Sequence, residues 1–155
     1  MWAVDVCLER VLRGEAPRDV FTARGHGNIT ASNTRTLEIT KDPFVTRRGD
    51  CIVACCSEKA AGELDVVEAL AAVGTVVIII DAGVAWDAVV GLTPRRRPTS
   101  RWRIVARRSF YVDDSTVAVG IDKAASGLDR ALVAALRGGA PVKITVGVCP
   151  GEAFK

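Results

Sequence analysis

The chain has 155 residues, 49% apolar and 25% charged, a size and balance that suit one folded domain and exclude an intrinsically disordered segment. Net charge is +3, and the most apolar run, Val76 to Ile80, is far shorter than the roughly 20 residues that span a bilayer, so a membrane protein is not indicated. The five cysteines (Cys7, Cys51, Cys55, Cys56 and Cys149) are odd in number and contain no C-x-x-C pair, which speaks against a secreted disulfide framework.

Asp5 and Glu9 occupy the start of the chain without a basic segment before an apolar one, so no secretion signal is expected and the protein is read as cytoplasmic. The chain has no Gln, two Asn and one Met, a composition that fits a high-temperature or GC-rich source. Intracellular proteins of such sources do carry disulfides, so the pairing of the five thiols stays open.

Residues 1 to 18 read as an N-terminal extension in which Val4, Leu8 and Val11 recur at helical spacing, a short helix or an edge strand. From Asp19 the chain alternates as D-V-F-T-A-R, a strand, and turns at G-H-G-N. Thr36 to Lys41 alternates again, with Leu37 and Ile39 on one face and Glu38 and Thr40 on the other. After Asp42-Pro43 and Arg48-Gly49-Asp50 comes a strand from Cys51 to Cys56. An alanine-rich helix follows, capped by Ser57 or Glu58, with Leu64, Val67 and Leu70 on one stripe. The strand Thr75 to Ile80 lacks polar alternation, as expected where both faces are covered, and Cys51 to Ile80 reads as a βαβ unit. The second half predicts strands at Ala85 to Leu92, Arg101 to Arg107 and Thr116 to Ile121, a helix from Lys123 to Arg137, and a strand from Val142 to Val148.

The two halves share a sequence. Val53 to Asp65, V-A-C-C-S-E-K-A-A-G-E-L-D, returns at Val117 to Asp129 as V-A-V-G-I-D-K-A-A-S-G-L-D, with seven of thirteen positions identical. Pairing Gly25 with Gly91, Ile39 with Val105 and Phe44 with Phe110 extends the match. The predicted fold is therefore α+β: one domain of two tandem β-β-β-α-β repeats, residues 19–81 and 85–148, related by a pseudo-twofold axis, with a mixed sheet or partly closed barrel flanked by two helices.

Polar residues are unequal between the repeats. The first carries Arg24, His26, Asn28, Lys41 and Asp50 on or beside its turns; the second has Leu92 where His26 would stand and Ile104 where Glu38 would stand. This suggests a pocket with His26 as acid, base or ligand, oriented by Glu38 or Asp50, and a ligand held by Arg24, Asn28 and Lys41. The alternative is a turn whose imidazole caps backbone groups. Lys59 and Lys123 are equivalent and fall in the predicted first turn of a helix, where a cation is disfavoured. Either an anion such as phosphate offsets that, or each Lys pairs with a carboxylate such as Asp65 or Asp129. Cys55 and Cys56 are expected on opposite faces of one strand, as core thiols that cannot chelate together. Cys51 is the thiol to watch, although Asp50 beside it would raise its pKa.

The run F-T-A-R-G-H-G-N-I-T-A-S-N-T-R-T-L-E-I-T-K, followed by T-R-R-G-D-C-I-V and S-E-K-A, resembles a family of uncharacterised archaeal proteins classified as a domain of unknown function. The resemblance is specific over residues 21 to 59 and looser to about residue 148; it implies no activity or cofactor. In that family a second histidine commonly stands where this chain has Asn33, and an Asp where it has Glu58. A lone His26 with Cys51 and carboxylates falls short of the usual zinc ligand set, so no metal site is expected.

Seven arginines lie between residues 95 and 108. Arg95, Arg96, Arg97, Arg101, Arg103 and Arg107, interleaved with Trp102 and close to Phe110 and Tyr111, have the composition of a nucleic-acid-binding face, with Arg101 and Arg103 outward and Trp102 and Ile104 inward. The bland alternative is a solvated, arginine-rich loop. Two functions are thus carried forward: a small, phosphate-bearing ligand bound or turned over in the first repeat, and RNA or single-stranded nucleic acid on the arginine face.

Overall fold

In a computed structural model of the chain, residues 2–151 are described; the side chains of residues 1 to 5, Val4 among them, lie outside the described part. After helix α1 (Trp2–Leu12), the order β1 (Arg18–Arg24), β2 (Thr36–Thr40), β3 (Ile52–Ala54), a 3-10 turn (Ala61–Glu63), α2 (Val67–Ala71) and β4 (Gly74–Asp81) is followed by the same order again. The second series is β5 (Trp86–Leu92), β6 (Arg103–Arg107), β7 (Thr116–Ala118), a 3-10 turn (Ala125–Gly127), α3 (Arg130–Arg137) and β8 (Pro141–Pro150). No helix among the described residues is long and apolar enough to cross a membrane.

The strands form two four-stranded sheets. The first runs β1-β8-β4-β5, all antiparallel; the second runs β3-β2-β6-β7, with an antiparallel centre and parallel outer pairs. Both orders read the same when the halves are exchanged, and each half supplies two strands to each sheet. The expected mixed sheet is the second of these. In place of a closed barrel, two isolated bridges, Arg24 with Cys55 and Leu92 with Val119, join the sheets at opposite corners.

Apolar side chains from both sheets and both C-terminal helices meet in one interior: Leu37, Ile39, Ile78, Ile80, Ile104 and Ile144 from strands, Leu70, Leu132 and Leu136 from helices. Strand β4 has no polar alternation because its other face is also covered. There Val77 and Ile79 pack with Ala88 and Val90 under Cys7 and Val11 of α1, and a disulfide joins Cys7 to Cys149 of β8 across 142 positions of sequence. A side chain at position 147 would meet Val11 at 2.5 Å, so Gly147 is what lets the helix lie this close.

Three expectations are corrected. Cys51 to Ile80 is not a βαβ unit, because β3 lies in the second sheet and β4 in the first. The two long helices are each a 3-10 turn followed by a shorter α-helix. Asp129 starts α3 by accepting the N–H groups of Ala131 and Leu132. Ser57 and Glu58 cap no helix: the Ser57 hydroxyl bonds Lys59 of the same turn, and Glu58 accepts the Thr22 N–H at 2.7 Å.

Correspondence between the halves is set by matching backbone bonds rather than by the glycines. Glu38 donates its N–H to Cys51 as Val105 does to Ser115; Ser32 and Asn33 donate to Asp50 as Thr99 and Ser100 do to Asp114. Glu38 thus answers to Val105 rather than Ile104, Arg24 rather than His26 answers to Leu92, and Ile39 answers to Ala106.

Candidate functional site

The side of the second sheet turned away from Leu37 and Ile39 gathers the polar groups that the sequence divides between two hypotheses. Alternation sends Leu37 and Ile39 inward, so Thr36, Glu38 and Thr40 face the other way; the antiparallel register sets Thr36 opposite Arg107 and Thr40 opposite Arg103. Arg103 lies 3.5 Å from the Glu38 carboxylate and 3.7 Å from Asp113, and Arg107 lies 2.9 Å from Asp113. Arg107 also donates from Nε to Thr116 and stands 5.0 Å over the Tyr111 ring. The Cys51 thiol donates to Glu38 at 3.8 Å. Glu38, assigned by sequence to one pocket, and Arg103 and Arg107, assigned to another face, are one network.

Burial raises the pKa of Glu38 above the usual carboxylate value, and Arg103 only partly opposes it. Burial and the neighbouring Glu38 likewise raise the Cys51 thiol, which argues against a ready thiolate. Asp113 goes the other way: burial disfavours its charge, but hydrogen bonds from Ser115 and Thr116 and the Arg107 guanidinium outweigh it and bring it down to about 2.

Around this sheet stand four highly exposed aromatic side chains: Phe44 (80%) between β2 and β3, Trp102 (71%) before β6, and Phe110 (71%) and Tyr111 (63%) between β6 and β7. Trp102 was expected to face inward with Ile104; it is exposed because the strand begins only at Arg103, while Ile104 is fully buried. Among them Arg35, Arg47, Arg48, Arg101 and Arg108 make no side-chain hydrogen bond or ion pair among the described residues. Phe110 walls a cleft of about 190 Å³ with Leu92, Pro94, Arg95 and Val119. Arg97 is paired with Glu68 at 2.6 Å, and Arg96 is exposed in the same loop.

Of the remaining residues of the first-repeat pocket, only His26 and Asn28 are joined to each other by a hydrogen bond among the described residues. His26 accepts the Asn28 N–H on Nδ1, while Asn28 donates to the Val45 carbonyl; no hydrogen bond or ion pair joins His26 to Glu38 or Asp50. Asp50 accepts from Asn33, Lys41 pairs with Glu63 at 2.6 Å, and Arg24 is exposed at the end of β1. Lys59 and Lys123 are not in a helical first turn. Lys59 binds the fully buried Asp19 at 2.7 Å and reaches Asp65 at 3.6 Å, and Lys123 binds Asp87 at 2.7 Å.

Cys55 and Cys56 do not face opposite ways. Cys56 has φ of 57°, so the chain leaves the strand there and the two sulfurs come within 3.0 Å. Among the described residues no group of three or more His, Cys, Asp or Glu side chains is arranged to hold a metal ion. Sequence reasoning missed Asp113, Thr116 and Phe44. The D-D-S-T turn was a usable signal, since Asp followed by Ser and Thr is a side-chain-to-backbone turn, which Asp113 makes with Ser115.

Residues 21–149 match the model of a domain of unknown function, DUF371. An uncharacterised protein of Methanocaldococcus jannaschii is 27% identical over 126 residues, covering 77% of this chain and 91% of that protein. The family read from the G-H-G-N and R-G-D-C-I segments is therefore borne out, and the chain belongs to the DUF371 family.

Proposed function

We propose that the outer face of the second sheet and its bordering loops bind single-stranded nucleic acid, RNA in particular. The observation that carries this is the concentration of exposed aromatic rings around that sheet, interleaved with arginines that make no side-chain hydrogen bond or ion pair among the described residues. Bases stack on aromatic faces at about 1–3 kcal/mol each, and arginines supply phosphate contacts and salt dependence. The paired Arg103 and Arg107 are held in place by Glu38 and Asp113, which fits positioning more than bulk attraction.

Fluorescence anisotropy with a labelled oligouridylate across a salt series tests this. Trp102→Ala should weaken binding roughly 5- to 150-fold, the equivalent of one lost stack. Retention of full affinity after neutralising Arg101, Arg103 and Arg107 together, or no binding at low salt, would remove the face from consideration.

A second reading, a small phosphate-bearing ligand, is supported by the half-buried Glu38–Arg103–Asp113–Arg107 network, in which two guanidiniums converge on a few ångströms of surface. Calorimetric titration with pyrophosphate and nucleotides separates it from the first: saturation abolished by Arg107→Ala but not by Trp102→Ala favours the small ligand. Within the same reading we place a cytoplasmic, heat-adapted protein and a tandem duplication as its origin. The absence of Gln and the matched bonds of the two halves support these.

A further inference from the structure

At the joint between the sheets, β3 gives out and Cys55 bridges to the end of β1. The Cys55 Sγ is buried and donates to the Gly25 carbonyl at 3.7 Å; Cys56, partly exposed, has its sulfur 3.0 Å from that of Cys55. That approach depends on the left-handed backbone at Cys56, with φ of 57°. The corresponding residue of the second half is Gly120, with φ of 56°, and both donate their N–H groups alike, Cys56 to Asp42 and Gly120 to Ser109. Glycine takes this conformation without a steric penalty and a residue with a Cβ does not. The first half therefore keeps a strained cysteine where the second uses the residue that fits, and the result of the strain is two adjacent thiols in contact. Nothing in the hydrogen bonding of the turn requires a sulfur.

We infer that Cys55 and Cys56 are a redox-closable dithiol, oxidised to a vicinal disulfide by thiol–disulfide exchange with a low-molecular-weight disulfide such as oxidised glutathione. The partly exposed Cys56 loses its proton to solvent and its thiolate attacks one sulfur of the oxidant. The oxidant's S–S bond breaks and one thiolate leaves, giving a mixed disulfide on Cys56. The Cys55 sulfur then attacks Cys56 Sγ, its proton passing to the departing thiolate, and the second small thiol is released. The two cysteines give up two electrons, and the oxidant disulfide becomes two thiols. Entry has to be at Cys56, because Cys55 is enclosed and burial together with its neighbour pushes its pKa up to about 12. Neighbouring Cα atoms are about 3.8 Å apart across a trans peptide, below the 4.4–6.8 Å of ordinary disulfides, so the ring is strained and easily reduced again. By contrast the Cys7–Cys149 link joins Cα atoms 6.0 Å apart.

The test treats the intact protein with oxidised glutathione, alkylates remaining thiols, and maps them by mass spectrometry after tryptic cleavage at Arg48 and Lys59, which releases Cys51, Cys55 and Cys56 in one peptide. The expected peptide is alkylated on Cys51 alone and has lost two hydrogens between Cys55 and Cys56; dithiothreitol restores three alkylation sites. Cys56→Gly, which suits the backbone and should give an unchanged near-ultraviolet circular dichroism spectrum, should form no ring. Three alkylated cysteines after treatment, glutathione adducts without a ring, or a ring that includes Cys51 would each overturn the assignment.

Discussion

Asp19 is the most demanding polar group in the fold. Its side chain is fully buried; Oδ1 accepts from Lys59 Nζ at 2.7 Å and from the Asp65 N–H at 3.1 Å, and Oδ2 accepts from the Val66 N–H at 3.2 Å. Replacing it with Asn changes no volume but turns one acceptor into a donor. Whichever way the amide is placed, its NH2 faces a backbone N–H, and Lys59 loses its counter-charge. Leaving one buried donor unsatisfied costs about 1–3 kcal/mol, and breaking a buried pair costs about 3–5 kcal/mol. Lys59 remains partly exposed and can turn to Asp65, so about 3 kcal/mol is the expected loss for Asp19→Asn. With about 2.1 cal/mol/K of unfolding entropy per residue over 155 residues, that is a fall in Tm of roughly 9 °C. The matching Asp87 accepts Lys123 on both oxygens, but its side chain is partly open to water, so Asp87→Asn should cost about 1 kcal/mol. Differential scanning calorimetry of the two variants at neutral pH gives the comparison. An Asp19→Asn protein melting within about 2 °C of wild type, or no lower than Asp87→Asn, would refute the reasoning.

Replacing Cys7 and Cys149 together with Ala should destabilise the protein by up to about 5 kcal/mol, the loop-closure value for a chain constrained over 142 positions, read from chemical denaturation with and without reductant. Gly25→Ala should cost about 3 kcal/mol or more, because a Cβ there would lie 2.0 Å from the Leu136 carbonyl oxygen, which is backbone and cannot turn aside; its urea midpoint reports this. Asp113 is held at about 2, below its unfolded value, so its contribution to stability is present above about pH 4 and is lost as pH falls from there through about 2; Asp113→Asn should flatten acid unfolding in that window.

Much of the fold follows from local pattern. Leu37 and Ile39 alternate with Glu38 because β2 has one buried face, and Val76 to Ile80 does not alternate because α1 covers the side away from the interior. The shared K-A-A segment marks two truly equivalent lysines. Asp65, the nearby carboxylate offered for Lys59, does reach it at 3.6 Å, whereas Asp129 starts α3 instead of pairing with Lys123. The closer partners Asp19 and Asp87 were not legible, because they lie 40 and 36 residues away and meet the lysines only through the tertiary fold. The candidate site was half legible for a related reason. Residue types named Glu38 and the arginines, but periodicity carries no information about which strands pair, and only the β2–β6 register joins them. Trp102 and Cys56 failed locally: one lies just outside its strand, the other takes a backbone angle that its side chain does not announce.

The exchange of strands between halves bears on how the chain is made. Among the described residues β1 has ladder pairing only with β8, its one tie to its own half being the Arg24–Cys55 bridge, so this strand waits largely unpaired until β8 has been made. On a ribosome the earlier half emerges with its pairing edges and apolar surface bare until about residue 150 clears the exit tunnel, and vectorial folding of one half before the other is barred by topology. A nascent chain stalled at residue 82 should therefore be held by chaperones and cut by proteases, whereas one extended past the final strand should acquire resistance in a single step.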